Sequence, residues 1–239
     1  MPYRRLPNTD QARIRALKAA VTNSDAHHYV DDLAISLKTL GEARMFLSKF
    51  EIAHGYYKSC YEEQANASRR HQANVKMARL YISHFIQVLN MAAIRSEIRA
   101  SQKTLYKLVV DDYSVPDLTS ESAMAEWGQR LIKGELLRTS QGGSPIYNPA
   151  IAKVKVHYDV FMEGYEKQKG LQALTSRSLE ELASMRARAD ELILDIWNQV
   201  EAKFEGVDSN DKRLDLCRAY GVIYYYRKGE KHNPEEDTL

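Results

Sequence analysis

Apolar residues recur at alternating steps of four and three along the middle of the chain, at positions 46, 50, 53, 57, 60, 64, 67, 71, 74, 78, 81, 85, 88 and 92. That spacing keeps one face of a helix turned toward a core. The stripe opens on Phe46, Phe50, Ala53, Tyr57 and Cys60 and closes on Ala78, Tyr81, Phe85, Val88 and Ala92, with Gln64, Ala67, His71 and Asn74 between. It is apolar at both ends and polar in the middle. A second stripe from 154 to 200 has the same character, with Val154, Tyr158, Phe161 and Tyr165 at one end and Ile193, Ile196 and Val200 at the other.

The two stripes lie 108 residues apart, and some sequence follows them. Gln64-Ala65-Asn66-Ala67-Ser68-Arg69 returns as Gln172-Ala173-Leu174-Thr175-Ser176-Arg177, alike at four of six positions, and residues 50–92 share seven identities with 158–200 over 43 positions. A repeat of this kind makes each copy build the same supersecondary unit; the bland alternative is two amphipathic helices of similar length. Between Gly55 and Pro116 no glycine or proline interrupts the chain for 60 residues, which suits helices and not a sheet rich in turns. The spacing predicts one long helix from about Glu42 to Ala100, bent or weakened at Gln64–Ser68. Ordinary helix lengths favour a hairpin there instead. In the second copy, Gly170 could end one helix and Ser178-Leu-Glu-Glu181 start another, but a long helix bent or weakened at Gln172–Ser176 is preferred there as well.

Shorter elements surround the long ones. A helix is predicted over 9–21, capped by Asn8 or Thr9 and broken at Asn23-Ser24-Asp25; another over 29–40 burying Leu33, Leu37 and Leu40; a third over 119–139 with Trp127, Leu131 and Ile132 inward. Leu105–Val110 and Val222–Tyr226 have strand composition and could pair as a cap. The expected fold is mainly α, an elongated helical bundle from two tandem copies of a short-helix/long-helix unit with a small two-stranded β cap. The alternative is a compact four-helix bundle of two helical hairpins. Copy 1 covers 1–110 and copy 2 covers 111–228, the two packing as one globular unit, and 229–239 form a polar, disordered tail.

The order Val115-Pro116-Asp117-Leu118, then Gly142-Gly143-Ser144-Pro145-Ile146-Tyr147-Asn148-Pro149, then Ile196-Trp197-Asn198-Gln199-Val200-Glu201 and Tyr220-Gly221-Val222-Ile223-Tyr224-Tyr225-Tyr226 resembles a family of bacterial all-helical proteins of unknown function. The resemblance covers most of the chain. It implies a helical fold and supplies no activity and no site residues.

Composition narrows the classes. An apolar fraction of 44% with 28% charged residues is that of a soluble globular protein, and no run of about 18 apolar residues predicts a membrane span. The N-terminus lacks the apolar segment of a secretory signal. Two distant cysteines, Cys60 and Cys217, read as reduced thiols in a cytoplasmic protein.

Candidate chemistry is sparse. Glu51-Ile-Ala-His54 has the spacing used by di-iron bundles, but the repeat position reads Asp159-Val-Phe-Met162, without the second histidine. The seven histidines show no zinc spacing; His27-His28 reads as a surface pair and His71 as a hydrogen-bonded interior residue. Arg138, Gly142, Gly143 and Tyr147 mark a candidate loop, in which Gly142-Gly143-Ser144 lacks the strand before it and the Lys-Ser or Lys-Thr after it that a phosphate-binding loop needs. No cofactor or metal is expected, and an enzyme ranks third among the readings.

Charge distribution gives the sharpest hint of a partner. Net charge is only +2, yet Gln64–Ser96 holds no acid and five bases, while Gln172–Phe204 holds four bases and six acids. Arg69, Lys76 and Arg79 form a candidate interaction face. Either they lie along the acidic helix of the second copy, near Glu180, Glu181, Asp190 or Glu191, or they form an open stripe that tracks phosphates. The first is preferred. The functional expectation is a structural or protein-interaction protein, its partner another protein or a second copy of itself. Fifteen tyrosines suit interfaces. Nucleic-acid binding is the alternative, and no membrane is involved.

Overall fold

The computed structural model describes residues 2–27, 29 and 32–226; His28 and the expected tail at 229–239 lie outside the described residues. The fold is mainly α. Helix α1 spans Asp10–Asp25 and is capped by Thr9, whose Oγ1 accepts the Ala12 N–H at 3.2 Å. It does not break at Asn23-Ser24-Asp25, because the buried Ser24 hydroxyl donates back to the Ala20 carbonyl at 2.8 Å and so stays within the helix.

Helix α2 then runs unbroken from Leu37 to Ile94, 58 residues. Of the predicted helix over 29–40, residues 30 and 31 lie outside the described residues, and α2 begins only at Leu37, where Ser36 Oγ accepts the Thr39 N–H at 3.2 Å. Leu37 is consequently exposed, Leu33 half-buried and Leu40 buried. The hairpin alternative falls with the unbroken helix. No side chain between Cys60 and His71 is buried. The helix crosses that stretch on intrinsic preference, because Glu62, Glu63, Gln64, Ala65, Ala67, Arg69 and Arg70 are strong helix formers.

The segment predicted as a strand at Leu105–Val110 instead follows a 3₁₀ helix over Ala100–Tyr106. Lys103 and Tyr106, three apart, both turn inward, which suits a threefold helix and not the alternation of a strand. The buried Lys103 ammonium donates to the carbonyls of Val110 at 3.1 Å and Asp112 at 2.5 Å and stands 4.1 Å from the centre of the Tyr113 ring. The small sheet does exist, with a different partner: β1, Tyr3–Arg4, pairs antiparallel with β2, Tyr224–Tyr225.

Helix α3 spans Glu121–Ser140, capped by Ser120; Leu131 is buried, and Trp127 and Ile132 are half-buried. Helix α4, Ile151–Ser184, is the long helix preferred for this region; it continues through Gly170 and buries Ser178, so the alternative stop and restart are not used. The interruption comes at Met185, whose N–H bonds to Leu182 in a tightened turn before α5, Arg186–Lys203. Helix α6, Asn210–Ala219, is capped by Ser209.

The chain divides into two compact units, Met1–Ser59 with Ser176–Leu239, and Cys60–Thr175. In the first, Leu17, Phe50, Ile193, Ile196, Trp197 and Val200 are buried together. Arg13 grips Asp190 through two bonds of 2.8 and 3.0 Å, while Arg186 grips Asp10 at 2.9 and 2.8 Å. In the second, Ile82, Phe85, Ile86, Leu89, Tyr106 and Phe161 form the centre.

Buried positions recur along the chain at a spacing of 111. Arg13, Leu17, Ala20 and Ser24 of α1 match Met124, Gly128, Leu131 and Glu135 of α3. Ala43 and Phe50 match Val154 and Phe161; Ala78, Ile82, Phe85, Ile86 and Leu89 match Ala189, Ile193, Ile196, Trp197 and Val200. The caps Thr9 and Ser120 share the spacing. At a spacing of 108, by contrast, half-buried Gln64 falls on exposed Gln172. Three residues are close to one helical turn, so a slip of that size leaves the stripes nearly in phase.

Of the predicted core, Phe50, Phe85, Ile193, Ile196 and Val200 are buried and Tyr57 is half-buried. Phe85→Ala should lower stability by about 3–5 kcal/mol in urea unfolding, whereas Leu136→Ser, on a side chain 70% exposed, should stay within about 0.5 kcal/mol. A small effect at Phe85 would contradict its place in the second unit's core.

Candidate interaction face

Within the second unit, Ala78, Ile82, Phe85 and Leu89 turn α2 so that its opposite side faces solvent. That outer side presents Arg69, Lys76, Met77, Leu80, His84, Met91 and Ile94, all exposed. Leu80 is 56% exposed, Met91 51% and Ile94 55%, so this is an apolar strip with no packing partner in its own unit. Its bases meet no acid along the helix, since Gln64–Ser96 contains none.

Arg79 leaves that group. Its guanidinium donates to the carbonyls of Leu118 and Thr119, both at 3.0 Å, and so tethers the strand of chain that leads into α3. Of the carboxylates expected opposite the basic helix, Asp190 is engaged in the first unit by Arg13 and Glu191 by Arg188 at 3.0 Å, while Glu180 and Glu181 are exposed. Arg69 and Lys76 remain exposed.

At the C-terminal end of the strip lies a cavity of about 570 Å³, walled by His84, Val88, Ala92 and Ile98 on one side and by Ser144–Asn148 on the other. The candidate loop thus borders the face. Tyr147 projects from it, 93% exposed; Gly142 takes a φ of +89°, a conformation that glycine adopts without strain. Asn148-Pro149 is cis.

Arg138 is not a surface ligand but the buried anchor of this loop. It donates to Glu135 Oε2 at 3.0 Å and Oε1 at 2.9 Å, to the Tyr106 hydroxyl at 2.8 Å and to the Ser144 carbonyl at 2.7 Å. Tyr106 donates to Glu135, which also accepts the Ile146 N–H at 2.9 Å. Gly143 sits against Arg138, where a Cβ would stand 2.7 Å from Nη1, and Gly134 leaves room for the Tyr106 ring. Burial pushes the Glu135 carboxyl up, but hydrogen bonds from Arg138, Tyr106 and Ile146 outweigh it and hold the group below its ordinary value. Burial, with Glu135 beside it, pushes the Tyr106 hydroxyl well above the usual range. Every member of this cluster is committed to holding the loop.

His71 is buried, its ring stacked on Phe161 with centroids 5.6 Å apart and Nε2 3.3 Å from a Glu121 carboxylate oxygen. Gly164 makes the space, since a Cβ there would collide with the ring. Glu51 pairs with Lys18 at 3.6 Å. Cys60 and Cys217 are buried and free. Among the described residues no helix is long and apolar enough to cross a membrane, and no group of three His, Cys, Asp or Glu side chains is placed to hold a metal.

Sequence reasoning found the bases and the loop but missed the apolar strip and the partners of Arg138. The strip had a signal, because Met77, Leu80, Met91 and Ile94 lie off the core stripe on the far side of the same helix. Glu135 stands three residues before Arg138, a spacing that brings two helical side chains together; Tyr106 carried no comparable signal. Comparison with known protein families, curated proteins and solved structures finds no match to this chain.

Glu135→Gln should cost about 3–5 kcal/mol, because it leaves the buried Arg138 charge without its counter-ion. The lowered carboxyl also fixes a pH dependence. Its contribution is complete above the unfolded carboxyl range and is lost as pH falls through the lower folded value. Wild-type stability should therefore drop below about pH 4, and this part of the drop should vanish in Glu135→Gln when unfolding is followed across pH.

Proposed function

We propose that the protein is a non-enzymatic, cytoplasmic protein-interaction module that offers the outer side of α2 in its second unit to a protein partner. The observation that carries this reading is the exposed strip of Met77, Leu80, Met91 and Ile94 among bases without acids. An apolar strip flanked by charge is the composition of a protein interface, whose centre is apolar and whose rim is polar. Methionine suits such a surface because its flexible thioether adapts to different partners.

Nucleic-acid binding is the second reading, supported by Arg69 and Lys76, which remain exposed. It is weaker. Arg79 is engaged with backbone carbonyls, and the apolar Met77 and Leu80 continue the exposed face beyond Lys76.

A titration with a fluorescent single strand and its duplex separates the two. The protein-interaction reading predicts no binding beyond the nonspecific range of about 10⁻⁴ M. Tighter binding that weakens about tenfold between about 0.05 and 0.2 M salt, as two phosphate contacts require, and that disappears in Arg69→Ala/Lys76→Ala, would establish the nucleic-acid reading instead. A photo-crosslinking side chain at Leu80 should in turn form a covalent adduct with protein, and the same group at the exposed Gln72, off the strip, should not.

A further inference from the structure

Resting on the interaction-module reading, we propose that the partner is an acidic amphipathic helix that lies along the outer side of α2 between Arg69 and Ile94.

The spacing of the exposed residues carries the helical part. From Leu80 to Ile94 the exposed residues of α2 are Leu80, His84, Gln87, Met91 and Ile94 and no others. They step by four and three, and Met77 and Ala73, both exposed, continue the same steps toward the N-terminus. Steps of this kind are the a and d positions of a heptad, the row on which a second helix seats its own side chains. At 1.5 Å per residue the row from Ala73 to Ile94 is about 30 Å long, the length of about three heptads. The backbone of α2 bonds within its own helix and offers no edge. An extended peptide laid there would find no backbone partner, whereas a helix arrives with its N–H and C=O groups already satisfied.

Charge supplies the acidic part. In this register Arg69 and Lys76 stand at successive g positions beside the row, and Arg70 stands on the row itself; all three are exposed. Residues at g face the flank of the partner helix and decide which partner is accepted. No acid lies between Gln64 and Ser96 to offset these bases, while Arg95, at the far end, is paired with Glu97 at 3.0 Å. A helix that fills this register therefore carries carboxylates toward Arg69 and Lys76 and apolar side chains toward Leu80, Met91 and Ile94. The same strip on a second copy holds no carboxylate between Gln64 and Ser96, so it lacks what these bases select. Beside His84 the row borders the cavity of about 570 Å³. One large apolar side chain of the partner would be enclosed there, the arrangement that concentrates binding energy at an interface.

Fluorescence anisotropy with two labelled synthetic peptides tests this on the full chain. Each has about three heptads with leucine at a and d; one carries glutamate at every e and g, the other lysine. The glutamate peptide should bind at micromolar concentration and gain helicity by circular dichroism. Its affinity should fall at least about fivefold between about 0.05 and 0.5 M salt, and the lysine peptide should not bind at about 100 μM. Arg69→Glu/Lys76→Glu should weaken the glutamate peptide at least about tenfold, and so should Leu80→Ser/Met91→Ser. Gln72→Ser, on the same helix but off the row, should leave binding unchanged. All five positions are exposed, so folding should survive, as thermal unfolding would verify. A glutamate peptide that does not bind at about 100 μM overturns the proposal, as does equal binding of both peptides or binding that the paired variants leave unchanged. A crosslink at Leu80 that joins two copies of the chain overturns it too. If the peptide fails while the Leu80 crosslinker still captures another protein, this inference fails and the interaction-module reading stands. No peptide binding and no adduct at Leu80 remove both.

Discussion

The fold depends on one constraint: α2 must serve two hydrophobic cores without breaking. Its buried side chains at Ala43, Leu47 and Phe50 belong to the first unit, and those at Ala78, Ile82, Phe85, Ile86 and Leu89 to the second. Each unit then completes its core with a short helix and part of the other long helical region. The first takes α1, α5 and α6; the second takes α3, the early turns of α4 and the 3₁₀ helix. Between the two sets of core residues, ten residues of α2 have no buried side chain. Helix continuity there rests more on local propensity than on buried side chains.

Paired charges give each unit its own fixed point, half-buried in the first and fully buried in the second. In the first, Asp10, Arg13, Arg186 and Asp190 lock α1 to α5 through paired guanidinium-carboxylate bonds. In the second, Tyr106, Glu135 and Arg138 join the 3₁₀ helix, α3 and the loop after it. Ser24 and Glu135 occupy matching positions in α1 and α3, yet one only bonds to its own helix while the other anchors a loop. Removing one member of a buried pair is costly because its partner stays charged in an apolar setting. Such pairs fix which segments meet, more than they add stability. The consequence for function is that Ser144–Asn148 are held beside the outer strip of α2 with Tyr147 directed to solvent.

The long helix, its core stripe and the caps at Thr9 and Ser120 were legible because period, composition and capping chemistry all act locally. The absence of glycine and proline after Gly55 carried the right answer against the ordinary length of helices. What failed was non-local or nearly degenerate. A three-residue slip preserves helical phase, so the same stripes accommodate identities at 108 and coinciding buried positions at 111. Lys103 and Tyr106 sit in a run of strand-like composition, and only their distant partners, the carbonyls of Val110 and Asp112 for one and Glu135 for the other, decide for the 3₁₀ helix. Arg138 looked like a loop cation because sequence does not show that a carboxylate one turn away will be buried with it. Arg79 looked like part of a basic stripe because backbone carbonyls, which any sequence supplies, are invisible as partners.

Keeping Arg69 on one face with Lys76, Met77 and Leu80 requires that α2 hold its helical phase through Tyr61–Arg70, where no side chain is buried. A break near Gln64–Arg70 would free Arg69 to rotate away from Lys76, Met77 and Leu80, and the face would lose its first base. Amide hydrogen exchange across Tyr61–Arg70 measures this directly. A continuous helix predicts that these amides exchange well below the rate of an unstructured chain, with no gap in protection between Cys60 and His71, even though their side chains are not buried. Exchange at the unprotected rate over Gln64–Ser68, flanked by protected turns on both sides, would contradict it.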